Sequence, residues 1–172
     1  IYSTTASTTK PTADLYKIAA DNALEVADIA RQFSLTTLFE FQRTSTFVST
    51  LPTMLSIVRA AGASNLGVLF DCYHFWSGMG KLEDFDGVRP GEIRHAHLQD
   101  VPDMPRELLD NNSRIIPGDW VSPLVPMLQK LAAKGYAEFP YALGDFEKQI
   151  FRTPSGKVEL YSERMAKHGL DA

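Results

Sequence analysis

The sequence predicts an α/β fold in which about five parallel strands alternate with helices. Three observations carry that expectation. Stretches with apolar residues at helical spacing alternate with short apolar or β-branched runs. Residues 66–70, Leu-Gly-Val-Leu-Phe, are almost wholly apolar, as in a strand covered on both faces. Glycines stand where helices should stop, at Gly62 and Gly135. Strand and helix in alternation imply helical crossovers between parallel strands.

The elements follow in order. Residues 1–5 read as a weak strand. Pro11 and Thr12 open a helix over residues 12–33, in which Leu15, Ile18, Ala19, Val26, Ile29, Ala30 and Phe33 mark one face. Residues 35–41 are too short for a stable helix and rich in Thr, Leu and Phe, so they read as a strand ending at Glu40. A helix over residues 52–61 turns Met54, Leu55, Val58 and Ala61 inward and stops at Gly62. After the strand at 66–70 comes another at 93–98 with His95 and His97, and His95 is expected to point away from His97 or to be displaced. Residues 121–133 form a helix with Leu124, Val125, Leu128, Leu131 and Ala132 facing in, and Gly118-Asp119 makes a plausible N-cap. A last strand is expected over residues 137–143.

Two stretches interrupt the rhythm. Residues 101–118, with three prolines, form a long loop with a short helix at 106–110, and loops of that length are usually functional or mobile. The segment from residue 145 onward does not continue the alternation, which suggests a division into 1–143 and a tail, 144–172.

Composition narrows the function. Seventeen basic against 21 acidic residues give a charge of −4, which disfavours a nucleic-acid surface. No run of about 18 apolar residues offers a membrane span. The single cysteine, Cys72, permits no internal disulfide and suggests a reducing, cytoplasmic setting. It has no basic neighbour and reads as a packed thiol. Residue 1 is Ile, so the chain reads as a piece of a longer protein.

The polar residues at strand ends are the informative set. Glu40, Asp71 and His97 end three successive strands, and His74 follows Asp71 by three residues. In parallel α/β folds the carboxyl ends of the strands open on one face, so these side chains should converge. One imidazole and two carboxylates suit Mn²⁺, Mg²⁺, Co²⁺ or Zn²⁺. Each also has an ordinary reading: Glu40 as a solvated loop residue, Asp71 as the cap of a following helix, and either histidine as a hydrogen-bonded structural group.

The runs VLFDCYHFWSG, IRHAHLQD and RIIPGDW resemble the xylose isomerase-like TIM barrel superfamily of sugar isomerases and epimerases, which also contains endonuclease IV-like phosphodiesterases. The resemblance covers roughly residues 12–142 and corresponds to the carboxyl-terminal part of that barrel. It implies a partial TIM (β/α) barrel, since a complete one takes roughly 250 residues. It also implies that Glu40, Asp71 and His97 are metal ligands, that Glu40 is a catalytic base, that His74 contacts substrate hydroxyls and that Arg114 binds the substrate. The reaction implied is isomerisation or epimerisation of a sugar or ketose through an enediolate. The family's second glutamate should fall near Leu143; Glu138 comes too early, and Asp145 and Glu147 slightly late. A partial barrel would leave strand edges uncovered, so a homo-oligomer is expected. The competing readings are a silent barrel remnant that binds a partner and a phosphodiesterase, which needs two or three metals. The tail FRTPSGKVELYSERMAKHGLDA separately resembles a segment of molybdopterin-dependent oxidoreductases.

Overall fold

The structure, a computed structural model, describes residues 2–3, 11–117 and 122–135, all within one unit, Ile1–Tyr136. Its sheet consists of β1 (Tyr2–Ser3), β2 (Thr37–Glu40), β3 (Leu66–Asp71) and β4 (Ile93–His97), parallel throughout and adjacent in sequence order. The apolar run at 66–71 forms a central strand, and every residue of β3 is buried. The fifth strand expected over residues 137–143 lies outside the described residues, as does the 143/144 boundary.

Register decides which face carries the chemistry. Glu40 stands opposite Leu69, Leu69 opposite His95 and Asp71 opposite His97, so all five share one face by the two-residue period of strands. Phe39, Val68, Phe70 and Ala96 occupy the other face and pack into the main core with the helices. Between the pairs Val68–Ile93 and Leu69–His95 the strand β4 carries one extra residue, Arg94. This bulge sets the site: without it Ala96, not His97, would stand opposite Asp71. His95 and His97 stand two positions apart on one strand and therefore on one side. Their rings meet edge to face at 5.4 Å, which corrects the expectation that His95 points away.

Helix α1 (Ala13–Arg31) starts as expected, with the Thr12 hydroxyl accepting from the Leu15 N–H at 3.4 Å. Its buried face is different from the one expected. Ala20, Ala23 and Ala27 are buried, whereas Ile18 and Ile29 are 51% and 53% exposed and Phe33 is 69% exposed. The alanines let α1 approach the core closely, and a reading weighted toward large apolar residues selects the opposite stripe. Helix α2 (Leu51–Ala61) matches expectation more fully. Met54, Leu55, Val58 and Ala61 are all buried, Thr50 caps the Thr53 N–H, and Gly62 ends the helix at φ 67°, a left-handed conformation that suits glycine.

A short helix, α3 (Cys72–Ser77), follows β3 directly, where the sequence reading offers no range but allows Asp71 to cap a following helix. The last described helix, α4, runs Leu124–Ala132 with Pro123 before it and no side-chain cap. Gly118-Asp119 lies outside the described residues. Of the residues expected to face in from α4, Leu124 is buried and Leu131 partly so, whereas Val125 and Leu128 are exposed, and Met127 takes the buried place between them. Among the described residues no helix is long and apolar enough to cross a membrane.

Candidate metal centre and the loops that frame it

Three strands deliver the centre. Glu40 ends β2, Asp71 ends β3 and His97 ends β4, and the paired register brings one ligand atom from each within 4.8 Å of the others. His97 Nδ1 lies 3.6 Å from Glu40 Oε1 and 3.5 Å from Asp71 Oδ2. Glu40 and Asp71 are buried, and His97 is partly exposed. Asp71 caps the following helix, as one reading of the sequence expects, and also faces the cluster. Its Oδ1 accepts the His74 N–H at 2.8 Å and so caps α3, while Oδ2 faces His97, the Gln99 amide at 3.2 Å and Arg114 Nη1 at 3.5 Å.

His74 sits on α3 beside this cluster. Its Nε2 is 3.1 Å from Arg114 Nη2, and its Nδ1 faces the Arg43 backbone N–H at 3.5 Å. All five residues singled out from the sequence therefore meet at one place. Two further residues had not been singled out. Gln99 could have been found, because two positions beyond His97 on an extended chain returns to the same side. Arg43, in the loop after β2, carried no sequence signal.

The long loop after β4 is ordered around its own small core. Val101 and Leu109 pack with Tyr73 and Trp76, the Arg106 guanidinium lies 3.6 Å over the Trp76 ring, and residues 106–108 form one 3₁₀ turn where a short helix was expected. Its base is tied: Asp100 and Ile115 exchange backbone hydrogen bonds, and the buried Asp100 carboxylate accepts from the Val101 and Ser122 N–H groups and the Ser122 hydroxyl. This fixes the strand-like return on which Arg114 is mounted, next to Ile115.

The electrostatics suit a cation. Burial, and then the charge of Asp71, raise the Glu40 pKa from its ordinary value, while His97 and Arg114 act in the opposite sense. Burial lowers the His74 pKa, with Asp71 opposing and Arg114, Arg43 and His97 adding to the fall. Burial and the neighbouring Asp71 push the Cys72 thiol up to about 12, consistent with an inert packed thiol. Two carboxylates crowded in a buried site, with one imidazole between them, form a donor set that a divalent ion would satisfy. Two buried polar atoms on residues that touch Asp71, Gln99 Oε1 and Arg114 Nε, have no hydrogen-bond partner among the described residues.

Comparison with known proteins decides the family. The family model of the xylose isomerase-like TIM barrel matches residues 3–170. The chain belongs to this family. The match continues through the tail, and the tail's likeness to molybdopterin-dependent oxidoreductases is not supported. An inosose isomerase of Halalkalibacterium halodurans is 30% identical over 114 residues, which are 66% of this chain and 40% of that protein. An inosose isomerase of Bacillus velezensis is 27% identical over 124 residues, 72% of this chain and 44% of that protein. The chain thus spans less than half the length of these relatives. The crystal structure of the IOLI protein with a binding zinc atom shares the fold, with a TM-score of 0.72 at 24% identity over 79% of this chain and 50% of that one.

Proposed function

We propose that this chain carries a divalent-metal site of a sugar isomerase or epimerase, acting on a ketose or a cyclic keto-polyol of the inosose class. The observation that carries the reading is the convergence of Glu40, Asp71 and His97 from three successive strand ends. The inosose isomerase relatives and the zinc of the IOLI protein support the substrate class and the metal.

Glu40, Asp71 and His97 would hold the ion. When bound, a divalent ion supplies Lewis acidity that acidifies the carbon–hydrogen bond beside a carbonyl. Within the chain, Glu40 is the base. Its burial beside Asp71 raises its proton affinity toward what abstraction at carbon requires; its Oε atom takes the proton from one carbon and returns it to the neighbouring one, while the hydroxyl proton of the first carbon passes to the former carbonyl oxygen. His74 Nε2 and the Arg114 guanidinium lie on the same side as Asp71 and orient the substrate oxygens. Burial keeps His74 neutral, so it can accept or donate one hydrogen bond without competing with the metal for the substrate. Shuttling one proton between adjacent carbons needs a single base. Epimerisation needs a second base on the opposite face of the substrate, and its candidates, Glu138, Asp145 and Glu147, lie outside the described residues.

The test is proton exchange at carbon. Incubated with inosose or a ketohexose and Mn²⁺ in deuterated water, the chain should incorporate deuterium, and Glu40→Gln should slow this by roughly two to four powers of ten. Incorporation that survives Glu40→Gln would place the base elsewhere, and no incorporation from any of these substrates would contradict the proposal.

A further inference from the structure

Arg43 joins the segments that follow β2, β3 and β4 at the carboxyl end of the sheet. It lies three residues beyond Glu40, in the loop after β2. Its Nη1 donates to the Tyr73 hydroxyl at 3.2 Å and to the Leu109 carbonyl at 2.9 Å, and its Nη2 faces the Arg106 carbonyl at 3.5 Å. Tyr73 belongs to α3, and Arg106 and Leu109 to the loop after β4. Its backbone joins in as well. The N–H faces His74 Nδ1 at 3.5 Å, and a Cβ added at Gly78 would fall 3.2 Å from the Arg43 Cβ and 2.7 Å from the His74 carbonyl, so the end of α3 is seated on Arg43.

We propose that Arg43 is a positioning residue that locks the 101–116 loop against Tyr73 and thereby holds Arg114 in place. The chain of contacts is short. Tyr73 is buried, its hydroxyl is held by Arg43, and the Arg114 guanidinium lies 4.5 Å over its ring while reaching His74 and Asp71. Leu109, whose carbonyl Arg43 grips, is buried against the same tyrosine. A planar fork with five donors can hold acceptors on α3 and on the loop after β4 at once; the single ammonium of lysine cannot keep that geometry. Because hydrogen bonds from a charged donor are roughly twice as strong as neutral ones, this one side chain supplies much of what keeps a long loop in a single conformation. The inference rests on the reading of Arg114 as a substrate-binding residue, but the lock itself is a separate claim with its own observable.

Wild type, Arg43→Lys, Arg43→Met and Arg114→Met are compared in the presence of Mg²⁺, a diamagnetic ion. Backbone hydrogen exchange over residues 101–116 should quicken by about tenfold or more in Arg43→Met and less in Arg43→Lys, while residues 66–71 stay protected. The NMR signal of the Arg114 Nε–H, a buried atom, should be lost to exchange broadening in Arg43→Met, and Mg²⁺ affinity should stay within about twofold of wild type. For inosose, Arg43→Met should raise KM more than it lowers kcat, and combining it with Arg114→Met should add little to Arg114→Met alone, because both act through one group. Unchanged exchange over 101–116, or an Arg114 Nε–H signal unmoved in Arg43→Met, would overturn the proposal, as would full additivity of the two substitutions. If the wild type turns over no ketose, the functional reading fails on that result, and the exchange and Nε–H measurements still decide the role of Arg43.

Discussion

Asp71 divides its two carboxylate oxygens between a helix cap and the candidate metal centre, and the two can be separated. Oδ1 caps α3 through the His74 N–H, while Oδ2 faces His97, Gln99 and Arg114. Asp71→Asn keeps an oxygen acceptor for the cap but removes the charge, so it should leave the melting temperature nearly unchanged and weaken Mn²⁺ binding by at least about a hundredfold. Asp71→Ala should lose the cap as well, about 1 kcal/mol of stability. Equal metal affinity in Asp71→Asn and wild type would remove Asp71 from the ligand set. Glu40 makes a pH-dependent prediction. Burial, and then Asp71, raise its pKa in the folded chain, so between the unfolded and folded values the folded state holds a proton that the unfolded state has released. Stability from that proton is complete below the unfolded value and is lost as pH rises through the folded one. With chelator present, wild type should therefore lose stability relative to Glu40→Gln as pH rises across and above the ordinary carboxylate range. Thermal melts stepped through that range check this, and parallel curves for the two proteins would contradict it.

At the scale of elements, strands and their ends were legible in the sequence and helix faces were not always so. The run at 66–71 declared itself by continuous apolarity, and the polar residues that interrupt the pattern at strand ends marked the site. In α2 the buried face was readable because its large residues and its buried residues coincide. In α1 they do not: the buried stripe is Ala20, Ala23 and Ala27, and side-chain size misdirects when close approach is what matters. Ala27→Leu should therefore destabilise the chain by about 1–3 kcal/mol through overpacking. Ile29→Lys, on the exposed stripe, should change stability by less than about 0.5 kcal/mol. Urea unfolding of the two variants measures both, and a larger loss in Ile29→Lys would mean that α1 buries its isoleucine face after all. The bulge at Arg94 was unreadable, since one extra residue in a strand leaves no mark in hydrophobic period, yet it determines that His97 rather than Ala96 meets Asp71. The fixed geometry of the 101–116 loop was equally hidden. It depends on Arg43, which is distant in sequence, and on a small core whose members are scattered from Tyr73 to Leu109.

On the scale of the whole molecule, the described sheet runs β1-β2-β3-β4, one face covered by helices and the other carrying Leu69 and the candidate ligands. Strand edges of this kind are ordinarily covered, and the chain is expected to associate with itself in solution. Light scattering over a range of concentrations should give more than one copy per particle, and a stable monomer at high concentration would count against this. The claim on which the rest depends is that three strand ends, far apart in sequence, form one cation site. Calorimetric titration of Mn²⁺ into the folded chain tests it most directly, with Asp71→Asn as the control. Saturable binding of one ion per chain is expected, nearly abolished in Asp71→Asn without loss of fold. A folded wild type that takes up no ion, or an Asp71→Asn chain that binds as wild type does, would contradict it.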